Sequence, residues 1–463
     1  MSKLIRDIVC LIFEELQDDE KTLCSCLSVN KTFSEITISI LWKNPWKFLK
    51  EGNEKEKSLL NIIISHLSDE SKNNLNQNCS LKISYQKPLF NYINFCKHLN
   101  LNVIQSIINN VFDKSEVMIV RDEILNLFIN GNARFTHLYV PYKFDYPLHL
   151  ISGAKYSLSD IEYLSCNTKM YDDILSGLTG ICKSIKELEL IIKAKYSNHG
   201  IVKLIDNQKK LLKFRLLDNF RQYRDESFRE ALENSLIKHA DTIQYFKITK
   251  QPTTKILSSL INLRILELYN NNHGACNCLE DISLPFLQIL RVKHVPIRYL
   301  INLVENTSGH LVEISIFSYI DNNEINNKRI IQVIYQNSPK LKYLRLMLRN
   351  SNILELENLL VSCQNLNGLF IMSITADMFD WNKLFEILTR SSPISLSKFK
   401  FYNHSIFNLE SLKLFFDNWK GRNPMSLQLN QMIDEGELIE KYKAEEIIKE
   451  YYNYLRNEEF EWN

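Results

Sequence analysis

The feature that most constrains this chain is a short apolar triplet that keeps returning. Its form is an apolar residue, two of any type, an apolar residue, one of any type, and an apolar residue. It occurs as Phe135/Leu138/Val140, Ile161/Leu164/Cys166, Ile185/Leu188/Leu190, Leu211/Phe214/Leu216, Ile243/Phe246/Ile248 and Leu263/Leu266/Leu268. It continues as Leu287/Leu290/Val292, Leu311/Ile314/Ile316, Leu341/Leu344/Leu346, Leu366/Leu369/Ile371, Leu396/Phe399/Phe401 and, more weakly, Pro424/Leu427/Leu429. First positions lie 20 to 32 residues apart. The last two positions of each triplet fall on one face of a strand, because side chains along a strand alternate. Between triplets, Glu226 to Ile237, Ile297 to Val304, Ile325 to Tyr335, Leu354 to Val361, Trp381 to Leu388 and Leu409 to Trp419 carry helical apolar spacing. A strand and a helix this short cannot bury their apolar sides alone, so successive units must stack.

This recurrence resembles the leucine-rich repeat, whose unit is about 20–29 residues. The resemblance implies an α/β fold, a curved solenoid with parallel strands on its concave face and helices on its convex face. Strict repeats place Asn three residues after the last apolar strand position; only Asn219 and Asn271 do so, which predicts irregular, helix-bearing units. About twelve units then span 135–433. Residues 44–134 read as a mostly helical linker, with a helix over Leu59–Leu67, an exposed Asn-rich loop over Ser68–Ser80, and a helix pair over Pro88–Leu99 and Leu101–Phe112. The tail, 434–463, has ten acidic and four basic residues. Ala444, Ile448, Tyr451 and Leu455 share a helical face there, predicting a capping helix.

Composition narrows the function classes. Hydrophobic residues at 45% and charged residues at 24% belong to a folded chain, and a formal charge of +2 makes no case for a nucleic-acid or membrane surface. The ten cysteines are scattered without recurrent spacing, and Met1-Ser2-Lys3 opens no signal peptide. The longest apolar runs fall well short of the roughly 18 residues of a spanning helix. The expectation is an intracellular protein, cytoplasmic and/or nuclear, with free thiols. No phosphate-binding glycine loop, nucleophile elbow or paired Cys-x-x-Cys set is present, so neither catalysis nor a cofactor is expected. His273, Cys276, Cys278 and His294 match no established metal spacing, and Cys24 and Cys26 fall on different faces of one helix.

The first forty residues carry a different pattern. Ile5, Ile8 and Ile12 follow helical steps of three and four; Asp18 and Asp19 suit a turn and the cap of a second helix; Val29, Phe33, Ile36 and Ile40 mark a third. Leu4-Ile5-Arg6-Asp7-Ile8, Ile12, Leu16, Leu23, Leu27, Val29, Phe33 and Leu41-Trp42 together resemble an F-box, the three-helix module that docks on the Skp adaptor of cullin-based ubiquitin ligases. The family's usual proline is Ile5 here and its usual glutamate is Asp7. The resemblance assigns adaptor contact to Leu4, Ile5, Ile8, Ile12, Leu16, Leu23, Leu27, Val29, Phe33, Leu41 and Trp42, within a module spanning 1–43.

In each repeat, the residue between the last two apolar positions should leave the core for the open sheet face. That row reads Tyr139, Ser165, Glu189, Arg215, Lys247, Glu267, Arg291, Ser315, Arg345, Phe370, Lys400 and Gln428, with Tyr269, Lys293, Phe317, Met347, Met372 and Tyr402 two residues further on. Arg215, Lys247, Tyr269, Arg291, Lys293, Phe317, Arg345, Phe370, Lys400 and Tyr402 form a mainly basic ladder with aromatics, suited to an acidic or phosphorylated protein segment. The whole is similar to F-box and leucine-rich-repeat proteins. That implies a substrate-recognition subunit of a ubiquitin ligase complex, bound to a Skp-type adaptor and cullin and serving ubiquitin-dependent protein degradation. The alternative is a repeat scaffold or regulator that binds partners without ubiquitin transfer.

Overall fold

The computed structural model describes residues 6–49, 54–79, 86–193, 196–218, 225–270, 277–373, 379–402, 407–430 and 436–453. Backbone contacts divide the chain into two units, Met1–Leu211 and Leu212–Asn463.

The first unit opens with α1 (Arg6–Glu15), α2 (Glu20–Cys26) and α3 (Lys31–Lys43). Asp19 starts α2: its carboxylate accepts from the Thr22 amide at 3.1 Å and the Thr22 hydroxyl at 2.6 Å. Asn30 does the same for α3, accepting from the Phe33 amide at 2.9 Å. Both satisfy amides that a helix start leaves without a backbone partner. Val9, Phe13 and Ile36 form the core between the helices, with Leu16, Phe33 and Ile40 packed against it. Phe13 and Phe33 meet edge to face at 5.2 Å.

Next come α4 (Glu54–Ser65) and α5 (Asp69–Asn78). The expected loop over 68–80 is therefore mostly helix. Ser68 caps it, accepting from the Ser71 amide at 3.1 Å, and Leu75 is fully buried. Lys72 is also buried, its ammonium donating to the Ser65 carbonyl at 2.8 Å. One leucine and one lysine stem make too narrow a stripe to show through so much Asn.

The remainder of this unit alternates β1 (His98–Asn100), α6 (Leu101–Val111), α7 (Val117–Phe128), β2 (His137–Tyr139), α8 (Ala154–Ser157), β3 (Tyr163–Asn167), α9 (Asp172–Ile181), β4 (Glu187–Ile192) and α10 (Gly200–Asp206). β1 to β4 pair in parallel and in chain order. β1 lies where the helix over Pro88–Leu99 was expected; only Tyr92–Phe95 turns, as a 3-10 segment. Leu99 is fully buried in the strand, and Asn100 caps α6 by accepting from the Val103 amide at 3.2 Å. Strand pairing thus begins inside 44–134, a stretch read as helical linker.

The second unit runs β5 (Lys213–Asp218), α11 (Glu226–Ile237), β6 (Tyr245–Ile248), α12 (Ile256–Ser259), β7 (Ile265–Tyr269), β8 (Ile289–Lys293), α13 (Ile297–Glu305), β9 (Glu313–Phe317) and α14 (Glu324–Asn337). It continues with β10 (Tyr343–Leu348), α15 (Glu355–Ser362), β11 (Gly368–Ser373), α16 (Trp381–Ser391), β12 (Lys398–Tyr402), α17 (Leu409–Trp419), β13 (Met425–Leu429), α18 (Gly436–Ala444) and β14 (Ile448–Asn453). Its strands form one parallel run in chain order. The twelve triplets read from the sequence coincide with β2 to β13. Their second and third members are at most 4% exposed, as a stacked core requires. Late in the unit the core is aromatic: Phe399 of β12 meets Trp419 of α17 at 5.1 Å, and Phe385 of α16 stacks on Phe415 at 4.6 Å. One strand per repeat, followed in most repeats by a helical return and after β7 by a 3-10 turn at Asn277–Leu279, is the leucine-rich-repeat form of the α/β class.

The tail departs from the capping helix expected over 434–463. α18 stops after Ala444, Glu446 turns the chain at φ 56°, and Ile448–Asn453 is a strand. β14 pairs with β13 through Leu427 opposite Tyr451, with a bulge at Met425/Ser426. An open strand edge offers a row of backbone partners, and this outweighs the helical spacing of Ile448 and Tyr451. Leu455 lies outside the described residues.

Candidate functional site

α1 is apolar on two sides. Val9 and Phe13 face the core, whereas Ile8, Leu11 and Ile12 are 46%, 64% and 48% exposed. Val29, just after α2, is also exposed. The sequence stripe joined Ile8 and Ile12 to Leu16, but Leu16 packs inward on the core. Leu23 is completely buried, and Leu27, Phe33, Leu41 and Trp42 are half-buried. Trp42 stacks on Tyr92 at 4.8 Å, and nearby Trp46 donates its indole N–H to the His98 carbonyl at 2.7 Å. The eleven expected contacts therefore separate. Ile8, Ile12 and Val29 present surface, Leu16 and Leu23 hold the module from within, and Trp42 ties it to the rest of its unit. Leu4 and Ile5 lie outside the described residues. Leu11, which the spacing argument passed over, is more exposed than either neighbour.

The open sheet face of the second unit carries the expected row in register: Arg215, Lys247, Glu267, Arg291, Ser315, Arg345, Phe370, Lys400 and Gln428. Its charges are largely met within the row. Glu267 sits between Lys247 at 2.9 Å and Arg291 at 3.0 Å, and Arg291 forks onto Glu313 at 2.6 and 3.0 Å. Burial alone would raise the Glu267 pKa, but hydrogen bonds and charge from Lys247 and Arg291 outweigh it and hold the carboxyl below its ordinary value. Arg291 is held protonated still more firmly, chiefly by its hydrogen bonds to Glu313. Glu313, one position before the row's neighbours in the triplet, was missed by reading only the central position.

Aromatic rings also lie beside several of the cations. Arg215 lies 4.9 Å from the Tyr245 ring, Lys247 5.3 Å from Tyr269, and Lys293 5.3 Å from Phe317. Arg345 lies 4.5 Å from Phe370 and 5.3 Å from Phe317. Met347, Phe370 and Met372 form a buried apolar cluster with Phe317 and Tyr402 against it. Phe370 and Lys400, expected as surface contacts, are each only 4% exposed. Of the expected contacts, Lys293 is exposed, and Arg215, Lys247, Tyr269, Arg291, Phe317, Arg345 and Tyr402 are half-buried.

On the first unit's sheet face, His98 and His137 stack at 3.8 Å, and Tyr139 and Tyr163 lie 5.1 Å apart. Burial, then the charges of His137, Lys43 and Lys47, push His98 down to about 3. Burial also lowers His137, against the opposing pull of Glu187 and Glu162. Burial pushes the thiols of Cys96, Cys166 and Cys182 up to about 12 and that of Cys363 to about 11, which makes them inert packing groups. His273 and Cys276 lie outside the described residues, and among those described no set of three His, Cys, Asp or Glu side chains is placed to hold a metal. No described helix is long and apolar enough to cross a membrane.

No protein-family model matches the sequence, and neither does any curated protein. Among solved structures the chain is similar to LegL7, a leucine-rich repeat-containing protein from Legionella pneumophila. Identity is 12% over 63% of this chain and 82% of that one, with a TM-score of 0.30. It is also similar to the Rad7 and Elc1 complex in yeast, at 13% identity over 87% of this chain and 94% of that one, with a TM-score of 0.38. Likenesses this distant assign no activity and no partner to this chain.

Proposed function

We propose that this protein is a non-catalytic substrate-recognition subunit of a Skp-cullin-F-box ubiquitin ligase. α1 to α3 dock on the Skp-type adaptor and the repeats hold a protein target. The observation that carries the reading is the second apolar side of α1. Ile8, Leu11 and Ile12 stand exposed on a helix whose other side is already buried, which is the signature of a face that a partner covers. The residue pattern of the first forty positions, with its likeness to an F-box, supports an adaptor as that partner.

The target surface is the part of the second unit's sheet face around Lys293, Phe317, Arg345 and Tyr402, where basic groups flank aromatic rings. Such composition suits an acidic protein segment. Catalysis belongs to other subunits: holding a target beside a charged conjugating enzyme raises its effective concentration.

The test is co-purification of the full chain with a Skp adaptor, comparing wild type with the Ile8→Asp/Ile12→Asp variant. These side chains stand outside the Val9, Phe13 and Ile36 core, so the circular dichroism melt is expected to stay nearly unchanged while adaptor affinity falls on the order of a hundredfold. Undiminished adaptor binding by a folded double variant would sink the proposal. Adaptor binding that excludes the cullin would convert the reading to that of a scaffold.

A further inference from the structure

We propose that the open sheet face of the first unit binds an extended basic segment of a partner protein, with Glu187 and Glu189 receiving two arginine or lysine side chains two positions apart. The strand register assembles the site. Leu99, Leu138, Leu164 and Leu188 turn into the core, so their neighbours along each strand face the open side. Pairing of β1 to β4 lines these neighbours up as two rows: His98, His137, Tyr163 and Glu187, and Asn100, Tyr139, Ser165 and Glu189. Each row crosses four strands and ends in a carboxylate on β4. Ser165 is buried and the other seven side chains are half-buried.

The two rows offer acceptors and hold no lysine or arginine. Burial above all keeps His98 and His137 below the ordinary imidazole value, His98 at about 3, so both rings are neutral and keep a nitrogen lone pair. Rings of the first row stack, His98 on His137 at 3.8 Å and His137 on Tyr163 at 5.4 Å, which holds their polar edges at fixed spacing. Glu189 accepts from the Ser165 hydroxyl at 3.0 Å and, among the described residues, enters no ion pair. An ionised carboxylate accepts about four hydrogen bonds, so one hydroxyl leaves most of its capacity for a donor-rich cation. The second unit's face differs, since Lys247 and Arg291 already meet Glu267 and Glu313 there.

Charge also fixes which end of the face takes the cations. Lys43 and Lys47 push His98 down at the β1 end, whereas Glu187 and Glu162 pull His137 upward. A basic segment is therefore repelled from β1 and drawn to β4. Glu187 and Glu189 stand on one face of one strand, about 6.6–6.8 Å apart by the strand rise. Side chains on one side of an extended peptide repeat at that same distance, so two basic residues separated by one other match both carboxylates. Arginine fits best: its fork meets a carboxylate through two parallel bonds, and its plane stacks on aromatic rings such as that of Tyr163. The proposal extends the reading of the repeats as a target holder and uses no residue of α1 to α3.

The experiment is fluorescence anisotropy on the full chain with a labelled Arg-x-Arg peptide pool, randomised at the other positions, against matched Gln-x-Gln and Arg-Arg pools. The Arg-x-Arg pool should bind at least roughly tenfold more tightly than either. E187Q/E189Q, which keeps shape and removes charge, should abolish that preference. E386Q/E410Q removes two exposed charges from α16 and α17 and should retain it. Ile8→Asp/Ile12→Asp should retain it as well, which separates this contact from adaptor docking. Should the E187Q/E189Q chain melt early, Glu189→Gln alone should reduce the preference with the melt unchanged. Equal affinity for the Arg-x-Arg and Gln-x-Gln pools, an Arg-Arg pool bound as tightly as Arg-x-Arg, a preference undiminished in the E187Q/E189Q and Glu189→Gln variants, or its equal loss in E386Q/E410Q would each overturn the proposal.

Discussion

Two gatherings of cations, one on the strands and one on the loops that follow strands, are compensated in different ways. In the second unit, Lys247 and Arg291 face a neighbouring strand that supplies Glu267, and Arg291 also meets Glu313. In the first unit, Lys143, Lys169 and Lys193 converge on a tyrosine ring. Parallel stacking in register makes each residue's neighbour the equivalent residue of the next repeat. A basic position is therefore paired with a carboxylate where the adjacent repeat is acidic, and left to a ring face where it is basic again. What separates the two is the succession of side chains across repeats.

The largest effect that sharpens this contrast is expected from Glu267→Ala, which strands Lys247 and leaves Arg291 with Glu313 alone. Breaking a buried pair costs about 3–5 kcal/mol; Lys247 and Arg291 keep 25% and 38% of their side-chain surface exposed, so solvent screening reduces the expected loss to about 2 kcal/mol. Urea denaturation reads this directly, and a loss under about 0.5 kcal/mol would erase the structural role given to the row.

Acid should separate the two units. Glu267 is held below its ordinary value, so its stabilisation is present above the unfolded carboxylate pKa, about 4.3, and is lost as pH falls through the lower folded value. His98, at about 3, and His137, also lowered, contribute stability that is present above their unfolded pKa, about 6.5, and lost as pH falls below it. Amide hydrogen exchange should therefore accelerate in β1 and β2 between about pH 6.5 and 5, before it does in β7 and β8. His98→Phe/His137→Phe should remove that early phase, and its persistence would assign acid sensitivity to other groups.

The smallest effect is expected from Lys169→Ala. Removing one of three mutually repelling charges should change stability by less than about 0.5 kcal/mol in a thermal melt. A marked destabilisation would make the first unit's lysines framework as well.

The repeats were legible because each strand needs two buried residues two positions apart, and that need recurs twelve times. Legibility failed where a single element broke the count. β1 has one buried residue, Leu99, at the centre of a three-residue strand, too little for a triplet. Ile448 and Tyr451 satisfy helical spacing, and only the free side of β13 decides for a strand. In α1 the apolar residues surround the axis, so periodicity alone cannot say which side faces in. The packing of Phe13 on Phe33 decides it and turns Ile8 and Ile12 outward. On the sheet face, side-chain direction was legible but compensation was not, because Arg291 and Glu313 lie 22 positions apart and meet only through stacking. The lysine cluster left a trace in the repeat register, hidden by reading strands and passing over the loops.

The bulged pairing of β14 on β13 also bears on how the molecule is made. A chain growing from its N-terminus covers the free side of β13 only when Ile448–Asn453 has been synthesised. Until then β13 presents a bare row of amides and carbonyls. Any product halted between Leu429 and Ile448 carries β1 to β13 but ends in a ready template for strands of other chains. Such products should thus be prone to pair edge to edge with other chains.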